Sequence, residues 1–197
     1  MTRTRVGLLA FETCDAMDLI GPYEVLLTAN RLRARAGEPE SFEVVVVGEP
    51  EVQVYGAMGV RPHVGVADVG ELDVLVVPGA IDVEAARPEE AIRELAPRSR
   101  VLASVCTGAF FLQRLGLLGD RPVTTHWEDV PLLRDLVADV GASVRDDVRW
   151  VDAGTLVTSG GISSGIAMAL HLVARFAGHD LAEATARQID YVWTEQR

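Results

Sequence analysis

The chain contains no lysine; all 18 of its basic residues are arginine. That absence removes the Schiff-base lysine, the P-loop lysine and the lysine general base from the chemistries open to it. The all-arginine usage itself reads as compositional bias. Cysteine is nearly as scarce, with Cys14 and Cys106 alone. Two cysteines in a chain of this length make no disulfide framework and point to a reducing, cytoplasmic setting. Long apolar runs are missing too. None approaches the ~20 residues a membrane span needs. Val6 to Phe11, behind the basic start Met1-Thr2-Arg3-Thr4-Arg5, is too short for a signal-peptide core. Positive charge is in deficit, at a net -11, which disfavours nucleic-acid binding. There is no HExxH, no CxxC, no Walker sequence and no dinucleotide fingerprint, so neither a metal nor a cofactor is expected.

What is present fits an ordinary globular protein, with 49% hydrophobic and 24% charged residues. A length of 197 residues suits a single domain spanning 1–197. Such a domain buries roughly 70% of its unfolded surface and needs no staple.

Apolar, β-branched runs predict strands at Arg5 to Phe11, Phe42 to Val47, Asp73 to Val77 and Val101 to Val105, with a short one at Pro122 to Thr125. Paired short strands are expected within Val52 to Val66, and a hairpin at Trp150 to Ala153 and Thr155 to Thr158 around Ala153-Gly154. Helical patterns run from Gly21-Pro22 to about Ala36, Pro88 to Leu95, after Cys106, Val130 to Val140, Ile162 to Ala177 and Leu181 to Trp193. Continuous apolar strands alternating with helices indicate a parallel sheet covered on both faces. The expected fold is therefore α/β: a single-domain, three-layer, flavodoxin-like sandwich with a mostly parallel sheet.

In such sheets ligands bind outside the carboxyl ends of the strands. Three loops meet there: Glu12 to Asp18, Pro78-Gly79-Ala80 and Cys106-Thr107-Gly108. They bring a thiol, a carboxylate and backbone N–H groups to one rim. Cys106 sits where a buried strand turns into a helix, the thiol version of a nucleophile elbow. The helix N-terminus favours the thiolate and predicts a thiol pKa below the free value of about 8.5. The N–H of Thr107, with those of Gly79 and Ala80, is placed to stabilise a developing anion. A small cysteine that merely packs is the plain alternative.

Val105-Cys106-Thr107-Gly108-Ala109, Gly116-Leu117-Leu118 and Thr124-Thr125-His126-Trp127 resemble the ThiJ/PfpI superfamily, whose fold is that of class I glutamine amidotransferases. Phe11 to Glu24, Val77-Pro78-Gly79 and Thr158 to Ile166 support the resemblance, which runs from about Arg5 to Tyr191. The branch most similar is the isonitrile hydratase-like one, shared with the sensor domains of AraC-type regulators. The resemblance implies an acid near the cysteine, and Asp18 matches that position; Asp15 is its neighbour, and a helix-end carboxylate is the alternative role. Aspartate there matches the isonitrile hydratase branch, whereas glyoxalase-like branches carry glutamate.

Peptidase-like members have a histidine directly after the cysteine, where this chain has Thr107, able to offer an N–H and a hydroxyl or to cap the helix. Glutamine hydrolysis needs a late histidine and glutamate, absent from Gly160 to Gly165. His126 is a candidate pocket-lining or purely structural histidine, and Trp127 a candidate apolar wall. His63, His171 and His179 lie outside any visible constellation, and Cys14 is a candidate resolving thiol or an ordinary loop cysteine.

The resemblance implies a small-molecule substrate, a homodimer and hydration of an isonitrile to an N-substituted formamide. In that reaction Cys106 attacks the carbon and Asp18 supplies the proton, or Asp18 activates water directly while Cys106 orients the substrate. A cofactor-free glyoxalase acting on 2-oxoaldehydes and a non-enzymatic ligand or redox sensor are the other readings.

Overall fold

Residues 3–196 are described by the structure, a computed structural model; Met1, Thr2 and Arg197, the outermost ends of the predicted domain, lie outside the described residues. The chain opens with β1 (Thr4–Leu9), α1 (Ala16–Arg35) and β2 (Phe42–Val47). A short antiparallel pair follows, β3 (Val52–Gln53) with β4 (Gly59–Val60), and then β5 (Leu72–Val77) and α2 (Glu89–Leu95). Next come β6 (Ser99–Ser104), α3 (Gly108–Arg114) and α4 (Val130–Val137). The chain closes with β7 (Trp150–Asp152), β8 (Leu156–Ser159), α5 (Ser164–Ala177) and α6 (His179–Gln188).

The main sheet has six strands in the order β2-β1-β5-β6-β8-β7. All neighbours run parallel except β7, which pairs antiparallel with β8 as the second arm of the predicted hairpin. Without the small β3–β4 pair, the parallel strands follow the flavodoxin-type order. The fold is α/β, with a mostly parallel sheet and helices on both faces.

The period-2 alternation of strand side chains divides the core. Val74 and Val76 of β5 face one way, into a cluster with Leu26 of α1, Met168 and Leu172 of α5 and Ala182 of α6. Leu75 and Val77 face the other way, onto Ile92 and Leu95 of α2, Phe111 of α3 and Leu133 of α4. Leu26, Leu75, Ile92, Leu95 and Phe111 are fully buried. Burying such a side chain is worth about 1.5–3 kcal/mol each before the entropy of ordering is counted.

Three elements depart from the sequence-based expectation. α1 starts at Ala16, five residues before Gly21, because the Asp15 carboxylate caps it, accepting from the N–H groups of Met17 at 2.9 Å and Asp18 at 3.3 Å. Pro22 consequently lies inside the helix, where its missing N–H leaves the Asp18 carbonyl without its usual helical donor. Pro122 to Thr125 is no strand beyond a single Val123–Val144 bridge, since the N–H of Thr124 goes to the Thr158 side chain at 2.8 Å. α6 ends at Gln188, and Asp190, with φ 55°, turns the chain back across the molecule.

Candidate functional site

β1, β5 and β6 are adjacent and parallel, so the loops that leave them emerge side by side. The β1 loop delivers Asp18 in the first turn of α1, the β5 loop delivers Gly79 and Ala80, and β6 runs into Cys106 and Thr107. The first two loops are stitched together, with Asp15 N–H donating to the Gly79 carbonyl at 2.8 Å and an antiparallel bridge between Cys14 and Ala80. This is the crevice where helices of successive strands leave on opposite faces, the position at which α/β sheets bind ligands.

Cys106 has φ 57°, a left-handed backbone that a residue with a side chain adopts at a cost. The elbow expected from the sequence is present. Neighbours hold it there. Its N–H is shared between the carbonyls of Ser159 and Gly160 at 3.2 Å each, and its carbonyl accepts from the Thr125 hydroxyl at 2.8 Å. The residue is 9% exposed, whereas Asp18 is 0% exposed.

The Asp18 carboxyl and the Cys106 thiol are buried near enough for each to shift the other's titration. One carboxyl oxygen, Oδ2, accepts from the Gly79 N–H at 3.0 Å, while Oδ1 is buried without a conventional hydrogen-bond partner. Burial raises Asp18 to about 7, and the charge of Asp15 adds to this; the Gly79 N–H and the Cys106 thiol pull the other way. Burial also pushes the Cys106 thiol up, and the Asp18 charge pushes it further, while the Thr107 N–H opposes. The low thiol pKa expected from the turn position is therefore overturned. α3 has only 7 residues, and its N-terminal field does not offset desolvation and a neighbouring carboxylate.

A second correction concerns Gly79 and Ala80, whose N–H groups are not free for an oxyanion. That of Gly79 is taken by Asp18, and that of Ala80 by the Thr107 hydroxyl at 2.9 Å. Buried oxygens need donors, and these are the nearest. Gly79 is required by crowding: a Cβ there would lie 2.8 Å from Thr107 N and 2.9 Å from Asp18 Oδ2. The N–H of Thr107 is the donor left facing the sulfur.

His126 and the Cys106 sulfur lie together against one backbone segment. Both abut Gly161, where a Cβ would lie 2.7 Å from Cys106 Sγ and collide with the His126 ring. His126 Nδ1 is 3.4 Å from Asp129 Oδ2, an ion pair when the ring is protonated. Trp127 stands beside His126, ring centroids 5.7 Å apart, but at 65% exposure it faces solvent and forms no closed wall. Cys14 is free and fully buried, with its thiol raised to about 11 by burial. His171 pairs with Asp152 at 2.7 Å, His63 Nδ1 accepts the Val46 N–H at 2.9 Å and His179 packs on Trp193, all away from Cys106. Among the described residues no group of three or more His, Cys, Asp or Glu is arranged to hold a metal, and no helix is long and apolar enough to cross a membrane.

Sequence reasoning missed Gly161, Thr125 and the Ser159 carbonyl. The Gly160-Gly161 pair signals a close backbone approach; Thr125 and Ser159 lie within stretches that carry the family resemblance, but nothing local marks either as a partner of Cys106. A cavity of about 850 Å³ opens elsewhere on the carboxyl edge, beside Phe11, Val52 and Arg87, and neither Asp18 nor Cys106 lines it.

The arrangement offers a thiol, a neighbouring carboxyl able to carry a proton, one backbone donor and a nearby imidazole. Among the described residues no arginine hydrogen-bonds Asp18. Such a site suits a small neutral electrophile.

A sequence model of the DJ-1/PfpI family matches residues 4–175. The chain is 35% identical over 193 residues to the isonitrile hydratase of Pseudomonas putida, covering 95% of this chain and 78% of that protein. It is 26% identical over 189 residues to the HTH-type transcriptional regulator GbdR of Pseudomonas aeruginosa, covering 94% of this chain but only 50% of the regulator. Among solved structures, a ThiJ/PfpI family protein from Pseudomonas syringae superposes with a TM-score of 0.79 at 23% identity, over 97% of this chain and 76% of that one.

Proposed function

The chain belongs to the DJ-1/PfpI family, and from that premise we propose that it is a cysteine-dependent hydro-lyase that hydrates isonitriles to N-substituted formamides. The observation that carries this reading is the Asp18 carboxyl and the Cys106 thiol buried side by side in one crevice, each acting on the other's titration. The match to an isonitrile hydratase along nearly the whole chain supports it.

An isonitrile is neutral, and its terminal carbon both accepts a nucleophile and takes up a proton. Sγ of Cys106 bonds to that carbon as Asp18 takes the thiol proton and returns it to the same carbon, giving a thioformimidate, R–N=CH–S–Cys106. A carboxyl that titrates at about 7 exchanges its proton readily in both directions at neutral pH. Water then adds, its hydroxyl to the carbon and its proton, passed through Asp18, to the nitrogen. Collapse of the adduct releases R–NH–CHO and restores the thiol. The Thr107 N–H supports the sulfur as it leaves with negative charge. His126, which shares the surface of Gly161 with the sulfur, borders the space where the attacked carbon sits. No step calls for a cofactor. The reaction suits a reducing compartment such as the cytoplasm, where both cysteines stay free, and a homodimer belongs to the same reading.

Incubation with cyclohexyl isonitrile and detection of the formamide tests the proposal, with Cys106→Ser as control. Lactate from methylglyoxal without formamide from the isonitrile would replace it with the glyoxalase reading. A sensor role is the second reading, favoured by the match to GbdR over 94% of this chain. Isonitrile binding in calorimetry without turnover supports that one.

A further inference from the structure

Tyr191, beyond the last helix, is joined to Cys106 by a short series of bonds. Its hydroxyl accepts from the Arg149 guanidinium at 2.6 Å and donates to the Ser163 carbonyl at 3.0 Å. The guanidinium also lies over the Tyr191 ring, 5.6 Å from its centroid. The backbone carbonyl of Arg149 accepts the N–H of Gly160 at 2.9 Å. The carbonyl of Gly160 in turn takes the Cys106 N–H at 3.2 Å, and Gly161 packs against the sulfur. Further along, the Trp193 indole N–H donates to the Ala167 carbonyl at 3.1 Å, and its ring stacks on Trp150 at 6.2 Å. Residues 190–196 thus form a strap fastened to both flanks of the loop at 160–163.

The geometry points to Tyr191 as a positioning residue for Cys106, acting through Arg149 and the Gly160–Ser163 loop. A left-handed cysteine persists only where its surroundings over-determine it. Two of those constraints are the Ser159 and Gly160 carbonyls, and the tyrosine hydroxyl ties down the segment that carries them. Without it the Ser163 carbonyl and the guanidinium each lose a partner, the loop loosens, and Gly161 draws back from Sγ. The sulfur then becomes more accessible to reagents while losing its fixed place beside Asp18. The inference rests on the reading of Cys106 as the attacking group and not on which substrate it attacks.

The test is Tyr191→Phe in the full chain, which keeps the ring over Arg149 and removes the hydroxyl. Alkylation by iodoacetamide is followed by mass spectrometry at both cysteines, with the fully buried Cys14 gauging global opening in the same sample. Cys106 is expected to react about fivefold faster or more, while Cys14 stays within about twofold. Turnover is expected to lose about fivefold or more in kcat with KM little changed. Arg149→Gln interrupts the same relay at its other end and gives the same shift; Val192→Ala, at a residue 77% exposed on the strap, gives none. Unchanged Cys106 labelling in Tyr191→Phe and Arg149→Gln, or Cys14 accelerating in parallel, overturns the proposal. The expected labelling in a chain that converts no isonitrile supports the relay and sinks the hydratase reading alone. Normal turnover with unchanged labelling does the reverse.

Discussion

Thr107 and Ala80 exchange two hydrogen bonds: the threonine hydroxyl accepts from the Ala80 N–H at 2.9 Å and donates to the Ala80 carbonyl at 2.8 Å. A side chain thus imitates one rung of a sheet ladder beyond the point where β5 and β6 stop pairing. It fixes the distance between the β5 loop, whose Gly79 N–H grips the Asp18 carboxyl, and the turn that carries Cys106.

Thr107→Val keeps the shape and strands both Ala80 groups. Leaving a buried polar group unpaired costs about 1–3 kcal/mol. A drop in the denaturant midpoint of that order is expected, with turnover falling more steeply than stability. Thr107→Ser restores most of both.

Asp18→Asn is expected to leave a folded chain by circular dichroism and to lower turnover by about 10²–10⁴, the range of a lost acid–base group. Near-normal turnover would assign the proton transfers elsewhere, with His126 the next group to substitute.

The titration of Asp18 also carries a stability signature. Its folded value of about 7 lies above the unfolded value near 3.8. Between the two the folded state holds the extra proton, so this carboxyl's contribution is complete below pH 4 and is lost as pH rises through 7. The difference spans a few kcal/mol at ~1.4 kcal/mol per pH unit. Chemical denaturation from pH 4 to 8 should show wild-type stability declining relative to Asp18→Asn over that window; parallel curves would contradict it.

Cys106 is expected to alkylate slowly at neutral pH and to accelerate into the alkaline range, since burial and the Asp18 charge both hold its proton on. It should still outpace Cys14, which is fully buried. In Asp18→Asn the acceleration begins at lower pH because the repelling charge is gone. A rate plateau below pH 7 in the wild type would show a stable thiolate and refute this order.

Gly161→Ala should abolish turnover more completely than its stability loss explains. A methyl group there reaches the sulfur and the His126 ring at once. Turnover within about tenfold of wild type would mean the loop gives way freely.

Features written in local pattern were legible in the sequence. β2 coincides with Phe42 to Val47, and the turn at Cys106 follows from an apolar strand meeting a helical stripe. The start of α1 is not legible in the sequence, because Pro22 suggests a first helical turn and the carboxylate that sets the start, Asp15, lies in a stretch rich in acids. The direction of the thiol's shift was not legible at all. It depends on how deeply Asp18 and Cys106 are buried together, a property of the packed sheet and not of either segment. The engaged N–H groups of Gly79 and Ala80 were hidden for the same reason, their partners arriving from other strands.

Because β1, β5 and β6 each supply one part of the site, the chemistry is a late product of folding. Asp18 and Cys106 meet only after strands distant in the chain have docked, and pairings of that range form slowly. A fragment ending before β6 contains the acid, and one beginning after β5 contains the thiol, but neither contains a site. In a refolding time course, the moment at which the identity of residue 18 begins to govern the alkylation of Cys106 is a clock for the closing of the central sheet.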